Sequence, residues 1–175
     1  MTMEEQICRT CCFLGHREII ETRELKEQIL HILEKLIVDQ NVDTFLFGSK
    51  SSFNSLCHAL VTQLKEQHPH IKRIYVRAEF PVIDRGYKEY LLEGYEDTYY
   101  PENIKGAGKA VYIKRNYTMI QNSQYCIFYY DEGYTSTVRK SGTKIALTYA
   151  KKYNKAIYIF PILCTASQVA RKESK

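Results

Sequence analysis

Short apolar runs alternate along the chain with longer segments in which apolar residues recur at helical spacing. The runs at 7–15, 43–48, 71–80, 124–131 and 155–161 predict five strands, and the periodic segments at 21–40, 49–67, 109–123 and 141–154 predict helices. Because neighbouring parallel strands need crossover connections, this order predicts an α/β fold with a mostly parallel sheet and helices on both faces. The tyrosine- and glycine-rich segment 84–108 has no clean period, and no element is assigned to it.

The chain is long enough for one compact domain and too short for two ordinary ones. It has 175 residues, of which 45% are hydrophobic and 13% aromatic, so we expect a single domain at 1–163 and a basic tail at 164–175. The net charge of +5 suits an anionic partner, but acidic residues are spread along the chain and the tail inflates the sum. Charge alone therefore leaves a nucleotide, a nucleic acid and no ligand all open.

The sequence lacks the signals of membrane insertion and of secretion. No apolar run approaches the length of a membrane span, and the first residues have neither a basic start nor an apolar core. We therefore expect a soluble cytoplasmic protein without a membrane partner. Most of the six cysteines sit singly within apolar patterns, so we expect buried, reduced thiols, no metal site and no cofactor.

Three polar loops follow predicted strands, at 15–18, 48–54 and 131–143. The carboxyl ends of parallel strands share one edge of a sheet, and ligands bind there near the point where the strand order reverses. Backbone amides, hydroxyls and cations at helix starts suit a bound phosphate. The candidate ligand-binding residues from these loops are Gly15, His16, Arg17, Gly48, Ser49, Lys50, Ser51, Lys140, Ser141, Gly142, Thr143 and Lys144. A solvated basic turn, an ordinary helix cap and an ion pair between Arg17 and Glu18 are the alternatives.

Two nucleotide-binding motifs are approached but not completed. The segment 48–52 is not a P-loop, because Ser49 precedes Lys50 and Thr44 stands where the first glycine belongs. The segment 106–111 is not a dinucleotide fingerprint, because Val111 fills the third glycine position. Neither segment therefore predicts a specific nucleotide.

Aromatic and acidic side chains provide two further sets of candidates. Five tyrosines are candidates for stacking on a nucleobase, or else for packing and dimer contacts: Tyr87, Tyr90, Tyr95, Tyr99 and Tyr100. Cleavage of a glycosidic bond needs carboxylates, for which the candidates are Asp131, Glu132, Glu93 and Glu79. No motif fixes a second carboxylate opposite any of them, so none is assigned as catalytic.

Several segments together resemble the SLOG superfamily, the Rossmann-like group that includes the DNA-processing Smf/DprA proteins and the Lonely Guy cytokinin-activating enzymes. They are CCFLGHRE, FLFGSKSSFN, YLLEGYEDTYYPE, KRNYTMIQNSQYCIFYYDE and KSGTKIALTYAKKYNKAIYIFP. The chain is similar to the small stand-alone bacterial and phage-borne members. The resemblance implies a Rossmann-like three-layer sandwich with a five-stranded sheet that binds a nucleotide or ADP-ribose-like ligand, often as a homodimer. It adds Asn54, Arg115 and Asn116 to the candidate ligand-binding residues.

The chain departs from the glycosidase members of that group at two positions. Placing Thr143 on the threonine of the Lonely Guy pattern PGGxGTxxE puts Ala146 where the functional glutamate belongs. Asn54 stands where relatives often have aspartate, and asparagine is a poor general base. We therefore expect a sensor or sequestering protein for ADP-ribose, a cyclic ADP-ribose-like molecule or a related phosphorylated nucleoside.

Two other functions stay open on the sequence. One is an N-glycosidase or phosphoribohydrolase that acts on nucleotides. The other is a single-stranded DNA-binding protein, which is the least expected, because the aromatic residues are not interleaved with basic ones on a predicted face.

Overall fold

The computed structural model describes residues 1–134 and 141–162. The helices are α1 (Met3–Cys8), α2 (Arg23–Asp39), α3 (Ser52–Lys65), α4 (Arg85–Leu92), α5 (Val111–Gln121) and α6 (Gly142–Lys152). The strands are β1 (Thr10–Gly15), β2 (Thr44–Phe47), β3 (Lys72–Val76), β4 (Asp97–Tyr99), β5 (Tyr125–Tyr129) and β6 (Ala156–Phe160). Lys140 and the predicted tail at 164–175 lie outside the described residues.

The described strands form one parallel sheet in the order β4-β3-β2-β1-β5-β6. The α/β class, the parallel sheet and the helices on both faces are confirmed. The predicted number of five strands is wrong, because β4 adds a sixth at the edge beside β3. Its three residues are too few to show the alternation from which a strand is predicted.

Two helices begin where the sequence analysis placed no helix. Residues 7 and 8, assigned to the first strand, end α1, which starts with a capping box between Thr2 and Glu5. The unassigned segment contains α4, whose N-cap Asp84 accepts a hydrogen bond from the amide of Tyr87. Polar caps therefore mark both helices better than apolar spacing does.

Successive residues of β1 point into two separate cores. Cys11 and Phe13 pack with the buried faces of α2 and α3, whereas Cys12 and Leu14 pack with α5 and α6. This alternation is what a strand covered on both sides requires. The expected burial of free thiols holds for Cys11, Cys12, Cys57 and Cys126, whereas Cys8 is exposed.

The strand order reverses between β1 and β5. From β1 the chain continues through α2 to β2 on one side, and from β5 it continues through α6 to β6 on the other. In sheets of this kind, ligands bind beyond the carboxyl ends of the two strands at this reversal, here β1 and β5.

Candidate ligand-binding site

His16 connects the two strands at the reversal of strand order. Its amide donates a hydrogen bond to the carbonyl oxygen of Tyr129 over 3.2 Å, and its Nε2 accepts one from the amide of Asp131 over 3.0 Å. Because Nε2 accepts, the ring carries its proton on Nδ1. The side chain is only 7% exposed. His16 therefore fixes the loops after β1 and β5 relative to each other.

The first two loops pack closely against each other. A Cβ atom on Gly15 would lie 2.4 Å from Cδ1 of Phe53, so no other residue fits there without displacing the ring. The amide of Ser52 donates to the carbonyl oxygen of Arg17 over 2.8 Å. This contact holds the backbone of Arg17 at the start of α3, while its side chain is exposed.

Asn54 shapes the second loop from inside. Its side chain is 3% exposed, and its Oδ1 accepts from the amides of Gly48 and Ser49 over 3.3 and 3.4 Å. The Oγ of Ser51, the N-cap of α3, accepts from the amide of Asn54 over 3.2 Å. The amides of Gly48 and Ser49 therefore already have an acceptor within the loop. An anion bound at this loop would be contacted mainly by side chains, because these amides are already engaged.

Arg115 brings a buried cation to this loop. It is 4% exposed, and a Cβ on Gly48 would lie 2.8 Å from its Cζ. Its Nη1 donates to the carbonyl oxygen of Val76 over 3.2 Å, and its Nε donates to Oδ1 of Asn116 over 2.9 Å. Within 1–134 and 141–162, no carboxylate forms an ion pair with it. The guanidinium thus lies at the carboxyl ends of β2 and β3 with neutral acceptors.

Glu79 and Tyr112 complete the charged surroundings of Arg115. Burial lowers the pKa of Arg115, and the nearby Tyr75, Glu79 and Tyr112 act against this shift. The hydroxyl of Tyr112 donates to Oε1 of Glu79 over 3.2 Å. The charge of Glu79 raises the pKa of Tyr112, while Arg115 and Arg17 lower it. Both arginines therefore lie within electrostatic reach of one tyrosine.

Tyr112 is not among the candidate residues predicted from the sequence. It precedes Arg115 by three residues in α5, which places the two side chains on neighbouring positions of the helix surface. The three-residue spacing from Arg115 was the sequence signal that could have identified Tyr112. A cavity of about 400 Å³ opens beside Tyr112 and is also lined by Glu79, Tyr100 and residues 106–108.

The third loop is described at its two ends. Oδ1 of Asp131 accepts from the amide of Gly133 over 2.9 Å, which makes a local turn. Ser141 caps α6 by accepting from the amide of Lys144 over 3.0 Å, and Thr143 is buried behind it. The start of α6 therefore faces the same edge of the sheet as the start of α3.

The remaining candidates do not all join this edge. Glu93 is the C-cap of α4, which runs back from the end of β3, so it lies at the amino edge of the sheet. Tyr95 packs inside the fold, where its ring centroid lies 4.7 Å from that of His58 and 5.3 Å from that of Tyr75. Of the five predicted stacking tyrosines, Tyr100 lines the cavity beside Glu79.

One relative among known proteins matches most of the chain. The chain is 31% identical over 146 residues to the uncharacterised SPbeta prophage-derived protein YoqJ of Bacillus subtilis (strain 168). The match covers 74% of this chain and 81% of YoqJ. The chain belongs to the YoqJ family. No protein-family model matches it.

Metal sites and membrane-spanning helices can both be assessed in the described residues of this YoqJ-family chain. In the described residues, no group of three or more His, Cys, Asp or Glu side chains is arranged to hold a metal ion. No helix in the same part of the chain is long and apolar enough to cross a membrane.

Proposed function

We propose that this YoqJ-family protein binds a nucleotide-derived ligand at the carboxyl edge of its sheet and acts as a sensor or sequestering protein. ADP-ribose, a cyclic ADP-ribose-like molecule and related phosphorylated nucleosides are the ligand class. The observation that carries the proposal is the buried guanidinium of Arg115, which lies against Gly48 with neutral hydrogen-bond partners.

A buried cation without a direct ion-pair partner is costly, because burial removes its hydration, and neutral acceptors with the more distant charge of Glu79 replace only part of it. A phosphate at Arg115 compensates this cost through short charge-assisted hydrogen bonds. The exposed Arg17 and Lys50 on the adjacent loops add cations that reach a bound anion from solvent. The second loop thus supports an anion mainly through side chains.

The ligand has room for more than a phosphate. The cavity beside Tyr112 adjoins the charged group and is lined by Tyr100 and by Glu79, a hydrogen-bond acceptor. A planar base fits such a mixture of aromatic and polar groups. The resemblance to the SLOG superfamily points to the same ligand class, and the homodimer it implies stays a prediction.

The second candidate function is that of an N-glycosidase or phosphoribohydrolase, for which Glu79 would supply the carboxylate. Glu79 lies beside Tyr112 and within electrostatic reach of Arg115, so a carboxylate is present where a ribose would follow the phosphate. Release of free base from a nucleotide, abolished in Glu79→Gln, would establish this activity. Intact ligand after prolonged incubation would establish binding alone.

Titration calorimetry with adenine nucleotides, NAD, ADP-ribose and cyclic derivatives tests the proposal. Arg115→Gln and Arg17→Ala each remove a charged contact worth about 1.5–3 kcal/mol, so we expect affinity to fall about 10- to 150-fold. Lys35→Ala is the matched control, because this exposed residue of α2 lies away from the carboxyl edge. Unchanged affinity in both arginine variants, or no binding of any compound in the panel, would refute the proposal.

A further inference from the structure

The helices α5 and α6 contain no acidic residues. The described segments that contain them, 103–130 and 141–162, contain no Asp or Glu, and the acidic residues of the helices fall in α1, α2 and α4. Exposed cations on α5 and α6 are Lys114, Lys144, Lys151 and Lys152. The two helices therefore present cations without carboxylates of their own.

Three tyrosines form a row on the same face. The ring centroids of Tyr117 on α5 and Tyr149 on α6 lie 3.8 Å apart with an interplanar angle of 12°. Tyr153, directly after α6, lies 4.5 Å from Tyr149 and is 47% exposed. The side-chain amide of Gln121 donates to the hydroxyl of Tyr149 over 2.6 Å. Helix packing and this hydrogen bond thus hold the row in place.

Lysines flank the row of tyrosines. A cavity of about 520 Å³ opens beside Tyr117 and Tyr149, and Lys144 and Lys152 line it. Nζ of Lys152 also lies 5.7 Å from the centroid of the Tyr153 ring. Aromatic faces and cations are therefore interleaved on one surface, an arrangement that the sequence pattern did not show.

We infer that the α5–α6 face binds single-stranded nucleic acid. Unpaired bases extend an existing stack of aromatic rings, and the backbone phosphates meet the flanking lysines. A second copy of the chain is a poor occupant, because two such faces would bring lysines against lysines. An acidic peptide satisfies the lysines but offers no planar ring to the exposed Tyr153. In a duplex the bases are already stacked and paired.

This surface is separate from the proposed nucleotide site. Arg115 and Tyr117 are two residues apart in α5 and so face different directions. Tyr149 and Lys152 lie in the last turns of α6, whose first turn faces the carboxyl edge. Variants of Tyr153 and Lys152 are therefore expected to leave the nucleotide site intact.

Fluorescence anisotropy of a labelled oligothymidylate, titrated at two salt concentrations, tests the inference. We expect Tyr153→Ala to weaken binding at least about fivefold through weaker base stacking. The variant Lys152→Glu, which reverses one charge in the last turn of α6, is also expected to weaken binding. The slope of log affinity against log salt should become shallower by about 0.7 for each phosphate that the variant no longer neutralises. Lys35→Glu on α2 is the control with the same charge reversal, and its affinity should stay within about twofold.

Several results would overturn the inference. They are the absence of an anisotropy change at low salt, equal weakening by Lys35→Glu, and competition by polyglutamate as effective as by unlabelled oligonucleotide. Wild-type affinity of Tyr153→Ala, with its fold verified by circular dichroism, would do the same. Oligonucleotide binding that survives Arg115→Gln separates this surface from the nucleotide site, whereas its loss there would assign the binding to the carboxyl edge.

Discussion

Replacing Gly48 by alanine is the most direct test of the position of Arg115. A Cβ atom at residue 48 would lie 2.6 Å from Sδ of Met119 and 2.8 Å from Cζ and Nε of Arg115. Non-bonded carbon atoms normally stay about 3.5–4.0 Å apart, so these side chains must move by roughly 1 Å. Both contacts involve the far ends of flexible side chains, and the backbone of the loop can therefore stay in place.

The expected effect on binding follows from that displacement. Moving the guanidinium by roughly 1 Å breaks its geometry with a phosphate, and a charge-assisted hydrogen bond contributes about 1.5–3 kcal/mol. We therefore expect Gly48→Ala to weaken ligand binding about 10- to 150-fold. Overpacking itself costs about 1–3 kcal/mol of folding free energy, which lowers the melting temperature by roughly 2–12 °C in a chain of this length.

Titration calorimetry and thermal melting, run side by side on Gly48→Ala and Gly86→Ala, separate these two effects. A Cβ on Gly86 meets its nearest atom, Oδ1 of Asp84, at 3.4 Å, so this control introduces the same group without a comparable clash. Wild-type affinity in Gly48→Ala together with a lowered melting temperature would show that binding does not depend on the position of Arg115. That result would refute the reasoning.

Three further predictions concern stability. Gly15→Ala places a Cβ within 2.4 Å of the fully buried Phe53 ring, so we expect the free energy of unfolding to fall by about 3 kcal/mol. The melting temperature should fall by roughly 6–12 °C, and an unchanged melting temperature would contradict this prediction. Burial alone would raise the pKa of Glu96, but hydrogen bonds and charge from Arg73 hold it below the ordinary value. Its contribution is therefore present above about pH 4.5 and lost on acidification, so urea unfolding of Glu96→Gln should show lower stability at about pH 7 and a smaller loss towards about pH 3 than wild type. Burial, followed by the charge of Tyr75, raises the pKa of Tyr95 to about 12. The free energy of unfolding should therefore fall between about pH 10 and 12, and it should fall less steeply in Tyr95→Phe. Parallel pH profiles of stability for the two proteins would contradict this prediction.

The layers of this fold could be predicted from sequence because burial imposes a period. The apolar residues of α2 recur at helical spacing, and Leu25, Ile29, Leu33 and Leu36 are buried as that spacing requires. The edge strand β4 has no such period, since it is three residues long and is defined by its pairing with β3. β4 can be recognised only from its pairing with β3, and no local sequence pattern encodes that long-range contact.

The meeting of the first two loops was predictable from the sequence, whereas the contacts inside them were not. Parallel strands bring their carboxyl ends to one edge, so the loops containing Arg17 and Gly48 had to meet once the strands were recognised. The role of Asn54 was not accessible in this way. Its side chain turns inward and engages the amides of its own loop, a choice set by the burial of one face of α3.

The row of Tyr117, Tyr149 and Tyr153 lies outside the segment of the sequence that is richest in tyrosine. Tyrosines are most frequent in the segment 87–100, and Tyr95 there is half-buried and packs against His58 and Tyr75. Tyr149 and Tyr153 are separated by four residues, so their proximity on a helical surface was predictable. Tyr117 joins them only because α5 and α6 pack side by side. A row of tyrosines that spans two helices is therefore a property of their packing, and so is the position of Lys144 and Lys152 beside it.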